Sequence, residues 1–238
     1  MNTESPLSGH ISSRFNMELE ELRNQVLAMG GLVESQVSDG LTALLESDSA
    51  LAEKVAEMDH KVNALEVDID EKCVQILARR APTARDLRLV VAIIKTITDL
   101  ERIGDQAEKL GQLELELTNE GSSTSEFVKL GHLGKLVLKM LHNALDAFAR
   151  MDDQAALKII GKDNKIDEEY DALMRQLITH MMEDPRTIKS ALRVSWCARS
   201  LERVGNHVIN ICEYVIFLVQ GKDIRHLDYK DIKSQVKK

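Results

Sequence analysis

Along most of the chain, apolar residues recur every three to four positions, the spacing of one face of an α-helix. One seam reads Ile188, Ala191, Ser195, Ala198, Glu202, Gly205, Ile209, Cys212, Ile216, Val219. Another reads Leu87, Val90, Ile94, Ile97, Glu101, Gly104, Glu108. The pattern and its breaks predict six helices. The first covers about 14–46 and the second ends near 80, with Asp48 as its N-cap. Ala81-Pro82-Thr83 breaks the pattern before a third at about 84–117. The polar, periodless run 118–125 reads as a linker. A fourth helix ends near 150, a fifth capped by Asp152 or Asp153 ends near 182, and a sixth runs from Asp184-Pro185 to about 220.

The halves read as repeats. Leu100-Glu101-Arg102-Ile103-Gly104-Asp105 returns as Leu201-Glu202-Arg203-Val204-Gly205-Asn206. Lys61-Val62-Asn63 matches Lys165-Ile166-Asp167, Gly30 matches Gly134 and Val33 matches Val137. Pro82 and Pro185 mark equivalent turns. The expected architecture is all-α: two tandem antiparallel three-helix bundles related by internal duplication. Residues 1–120 form the first repeat, 121–221 the second, and 222–238 a charged, loosely held tail. Gly30-Gly31, Gly131 and Gly134 lie inside helical patterns. They are either tolerated or mark close approach of the first helix to the fourth.

In both seams a glutamate interrupts an apolar run, and a buried carboxylate requires a neutralising partner. Antiparallel helices joined at a turn place residues equidistant from it at one level, because each residue rises about 1.5 Å. Counting outward from Pro82 brings Asp59 and Asn63 level with Asp105 and Glu101, and Glu66 and Glu108 extend the set. Counting from Pro185 brings Asp163 and Asp167 level with Asn206 and Glu202. Each four-residue set holds three carboxylates and one amide. All-oxygen donors suit a hard divalent or trivalent cation such as Mg²⁺, Ca²⁺, Mn²⁺ or iron. The alternative is ordinary ion pairing to Arg102 and Arg203.

Composition narrows the chemistry. Aromatics are only 3% of the chain, so the core must be aliphatic. A net charge of −8 argues against nucleic-acid binding. No apolar run approaches a membrane span, and the first residues lack a basic-then-apolar secretory segment. Cys73, Cys197 and Cys212 are odd in number, without CxxC, and read as small core residues in a reducing compartment. Glu-x-x-His does not occur on two helices, and there is no zinc spacing, P-loop or nucleophile elbow. His60 and His207 read as surface residues. Arg79, Arg80, Arg85 and Arg88 flank Pro82, best explained as cations near a helix C-terminus.

Taken together, the motifs resemble those of the PhoU family of phosphate-transport accessory proteins. The likeness rests on Glu101-Arg102-Ile103-Gly104-Asp105 and Glu202-Arg203-Val204-Gly205-Asn206. It extends to His10-Ile11-Ser12, Phe15-Asn16-Met17-Glu18-Leu19-Glu20, Pro82-Thr83-Ala84-Arg85-Asp86-Leu87-Arg88 and Met181-Met182-Glu183-Asp184. The resemblance implies a cytoplasmic, often homodimeric, non-enzymatic negative regulator of the phosphate-starvation response. It would act as an adaptor between the Pst phosphate ABC transporter and the PhoR sensor histidine kinase. It also implies metal on the two motif helices. Asn206 departs from the family pattern, which usually ends both motifs in Asp; Asp167, standing where the first half has Asn63, restores the carboxylate count. The competing readings are a carboxylate-bridged metalloenzyme and a purely structural bundle.

Overall fold

The computed structural model describes residues 13–118 and 127–236. These residues contain α1 (Ser13–Glu46), α2 (Ser49–Arg80), α3 (Ala84–Thr118), α4 (Phe127–Arg150), α5 (Asp153–Ile160), α6 (Asn164–Glu183), α7 (Ile188–Gln220) and α8 (Tyr229–Val236). Among the described residues there is no strand. Local chemistry sets the corners. The Asp48 carboxylate accepts from Leu51 N at 3.0 Å and starts α2. Ala81 leaves α2 in the left-handed conformation, and the Pro82 turn sends the chain back along α3. Asp152, rather than Asp153, caps α5 by accepting from Ala155 N at 2.8 Å. Asp184 accepts from Arg186 N at 3.0 Å and starts the Pro185–Thr187 3₁₀ turn into α7.

Helices α1, α2 and α3 pack together as one bundle, and α4, α5, α6 and α7 as a second. The bundles meet along α3 against α7 and α1 against α4. The core is aliphatic, as expected: Phe148 is joined by Leu19, Leu22, Met29, Leu44, Ile69, Ile93, Ile97 and Leu100 among the largest fully buried side chains. Burial of each such side chain contributes about 1.5–3 kcal/mol. The glycines divide. A Cβ on Gly30 would stand 2.6 Å from Leu145 Cδ2, and one on Gly134 2.5 Å from Leu41 Cδ2. Those two make the close α1–α4 approach, whereas Gly31 faces open space.

Two expectations need correction. The single fifth helix is broken into α5 and α6 at Gly161-Lys162-Asp163. The tail expected to be loosely held instead forms α8, which packs on α5 and buries Ile232 and Val236, with Ile224 buried just before it. The two departures meet at one contact: Tyr229 lies against Gly161, where a Cβ would come within 2.6 Å of its ring. The returning tail occupies the space that a continuous helix bearing a larger residue would fill. The sequence stretch 118–125 is described only at Thr118, which ends α3; the rest of that expected linker lies outside the described residues.

Candidate metal centre

The α2–α3 turn brings together part of the first acidic set, with Glu108 in place of Glu101. Carboxylate oxygens of Asp59, Asp105 and Glu108 lie within 4.8 Å of one another. Asp59 is only 7% exposed. Asn63 donates from Nδ2 to Asp59 Oδ2 at 2.8 Å, which turns both Asn63 Oδ1 and Asp59 Oδ1 into buried acceptors without a hydrogen bond. Glu101 sits beside this group, and its carboxyl is pushed up first by burial, then by Asp105, with Glu66 and Asp59 adding to the effect and Arg102 opposing it. Arg102 is the neutralising partner that the alternative reading required, 3.5 Å from both Glu101 and Asp105. It is 57% exposed, so solvent screens most of its effect. Glu108 accepts from Gln112 Nε2 at 2.9 Å.

The second set is assembled more loosely. Asn206 donates from Nδ2 to Glu202 Oε1 at 2.9 Å. Glu202 Oε2 is buried without a hydrogen bond and faces Arg199 Nε at 3.7 Å; Arg203, the expected partner, takes no part. Asp163 stands at the start of α6, where it makes no capping bond. Its carboxyl is pushed up to about 6 by burial, then by Asp167 and Glu202. Asp167 is exposed, and its carboxyl is also pushed up, by desolvation and then by Glu202 and Asp171. These four residues therefore sense one another, but among the described residues the three-carboxylate group closing within 4.8 Å is the first.

The donor chemistry fits a hard cation. Both sets offer oxygen only, and Asp59 Oδ1, Asn63 Oδ1 and Glu202 Oε2 are buried acceptors that no protein hydrogen bond satisfies. Asp59, Asn63, Glu66, Glu101, Asp105 and Glu108 would hold an ion in the first half, and Asp163, Asp167, Glu202 and Asn206 in the second.

A scan against family models matches this chain twice to the PhoU domain, at residues 26–113 and 130–215. The chain belongs to the PhoU family. A Pseudomonas putida phosphate-specific transport system accessory protein PhoU homolog is 52% identical over 99% of this chain and 92% of its own length. The phosphate-specific transport system accessory protein PhoU of Escherichia coli K12 is also 52% identical, over 93% of this chain and 91% of its own. The crystal structure of PhoU from Pseudomonas aeruginosa superposes with a TM-score of 0.85 at 51% identity, covering 87% of this chain and all of that one (100%). The two PhoU matches fall on the two bundles, and each oxygen set lies within its match.

The remaining expectations divide: Arg79 and Arg80 do stand in the last turn of α2, while His207 departs. His207 is not a surface residue: its Nδ1 donates to Asp99 Oδ1 at 2.6 Å, and Asn210 Nδ2 donates to the same oxygen at 3.0 Å. This contact joins α3 to α7, the two motif helices. His60 is exposed. The arginines around Pro82 are dispersed rather than clustered: Arg80 forks onto Glu18 at 2.6 and 2.9 Å, Arg85 reaches Met151 Sδ, and Arg88 donates to the Leu218 carbonyl. All three cysteines are free and buried, and burial pushes the Cys73 and Cys197 thiols up to about 12, so they are packing residues. Sequence reasoning missed Gln36, which is 0% exposed on α1 and stands near Asp59. Its signal was a polar residue on the apolar stripe between Val33 and Val37.

Proposed function

We propose that this protein is the accessory regulator of a phosphate-specific transport system, a negative regulator of the phosphate-starvation response that couples the Pst phosphate ABC transporter to the PhoR sensor histidine kinase. The observation that carries this reading is the match of both bundles to relatives named as phosphate-specific transport system accessory proteins, at about half identity over nearly the whole chain. In this reading the protein is a cytoplasmic homodimer that works by binding rather than by catalysis. Among the described residues no helix is long and apolar enough to cross a membrane, consistent with reaching the membrane through partners only. A Mg²⁺, Mn²⁺ or iron ion bound at the acidic sets would neutralise them and hold each motif helix to its neighbour.

The test is recovery of partners. Tagged protein, incubated at high and at low phosphate with the transporter's cytoplasmic subunits and with the sensor kinase, should retain both. Retention of neither at either phosphate level overturns the adaptor reading. Deleting the gene should leave the phosphate-starvation response on in rich phosphate; a response that stays off contradicts negative regulation.

A further inference from the structure

The two oxygen sets differ in one respect that the repeated motifs conceal. In the first bundle, Gln36 of α1 projects toward the motif. Its Nε2 donates to the Val55 carbonyl at 3.2 Å, which fixes the orientation of the amide, because turning it over would set two oxygens against each other. Its Oε1 is then left buried, with no hydrogen bond. That oxygen lies 3.2 Å from where a Cβ on Gly104 would stand, and Asp59 Oδ1 lies 3.7 Å from the same point. Gln36 Oε1 and Asp59 Oδ1, both buried and without a protein hydrogen bond, therefore approach the same point on the motif helix, and Asn63 Oδ1 is a third unsatisfied acceptor of the set. Unsatisfied buried oxygens of this kind suit a cation.

The second bundle offers no counterpart. The offset that matches Gly30 to Gly134 and Val33 to Val137 sets Gln36 against Met140, which is buried. A Cβ on Gly205 would meet only Ile166, at 3.3 Å, where Gly104 has Val62 at the same distance and the two oxygens besides. The α1 oxygen is thus present in one half and replaced by a thioether in the other, a poor ligand for a hard ion.

We propose that Gln36 is an additional ligand, contributed by a third helix, to the cation site of the first bundle, and that this makes the first site the tighter of the two. The inference rests on the metal reading of the acidic sets. It also gives α1 a direct stake in ion binding, so that loading the site ties all three helices of the first bundle together.

Calorimetric titration of the full-length protein with Mn²⁺, after treatment with a chelator, tests this. Wild type should show a tight and a weak class of site. Gln36→Met, which installs the side chain found at the equivalent position of the other half, should weaken the tight class by about tenfold or more and leave the weak class unchanged. Gln36→Asn, which keeps the amide but withdraws its oxygen by one methylene, should also weaken the tight class. Its polar side chain keeps the test decisive if the methionine variant folds poorly. Unchanged Mn²⁺ affinity in Gln36→Met means that the amide holds only a water, and overturns the inference while the metal reading stands. Unchanged tight binding in Gln36→Asn overturns it as well. If wild type binds no Mn²⁺, the metal reading itself fails and this inference with it.

Discussion

Asp163→Asn should stabilise the metal-free protein at neutral pH and do little in acid. The Asp163 carboxyl titrates near 3.8 in an unfolded chain and is pushed up to about 6 in the folded one by burial and by Asp167 and Glu202. A raised carboxyl contributes stability that is fully present below about pH 4 and is lost as the pH rises through about 6. A shift of about two units corresponds to about 3 kcal/mol lost by pH 7.5. Two effects reduce this. Asp163 is partly solvated, so screening weakens its repulsions, and a negative charge beside the N-terminus of α6 gains about 0.3–1 kcal/mol from the helix dipole. The amide should therefore add about 1–2 kcal/mol at pH 7.5 and well under 1 kcal/mol at pH 4. Urea unfolding of both proteins in chelator at the two pH values reads this directly. Saturating Mn²⁺ should then narrow or reverse the difference, because the ion stabilises wild type through the charge that the variant lacks. A variant less stable than wild type at pH 7.5 in chelator, or an equal gain at both pH values, refutes the placement of Asp163 in a crowded acidic set.

Three further outcomes follow from the geometry. Gly111→Ala sets a Cβ 2.8 Å from the Ala52 carbonyl oxygen, which a backbone cannot evade, so it should destabilise by about 1–3 kcal/mol, whereas Gly31→Ala meets nothing and should gain up to about 1 kcal/mol in the same thermal melts. A Gly111→Ala variant as stable as Gly31→Ala, or more stable, contradicts the α2–α3 contact. Asp99→Ala removes the acceptor of both His207 and Asn210 and should lose about 2–4 kcal/mol, measured by urea unfolding; a loss under about 0.5 kcal/mol would show that the α3–α7 contact is not held there. Asp59→Ala should abolish most of the Mn²⁺-induced rise in melting temperature while leaving the metal-free melt nearly unchanged, and equal Mn²⁺ responses would remove Asp59 from the site.

The first bundle was legible because its boundaries carry local chemistry. Asp48, Ala81-Pro82 and the apolar stripes define α1 to α3 within a residue or two, and the fixed rise per residue was enough to place Asp59 level with Asp105. The split of the fifth helix was not legible, since apolar spacing resumes on both sides of Gly161 and the residue packed against the break, Tyr229, is distant in sequence. The tail was misjudged because its charges outnumber the three residues, Ile224, Ile232 and Val236, that anchor it. Gln36 and His207 escaped for a related reason: each contact joins residues on different helices, and a single stripe shows a polar residue without showing what it faces.

The pairing of His207 and Asn210 with Asp99 has a consequence for how ions would bind. Asp99 lies two residues before Glu101, and the helical repeat turns the two toward opposite sides of α3, so α3 carries its acidic set on one side and the bond to α7 on the other. An ion that draws α3 toward α2 must either carry α7 along or strain that bond. Loading of the first set would thereby be felt at the α3–α7 seam, and by linkage the strength of that seam would bear equally on ion affinity. Asp99→Asn, which weakens the seam, should accordingly change the affinity of the first site for Mn²⁺.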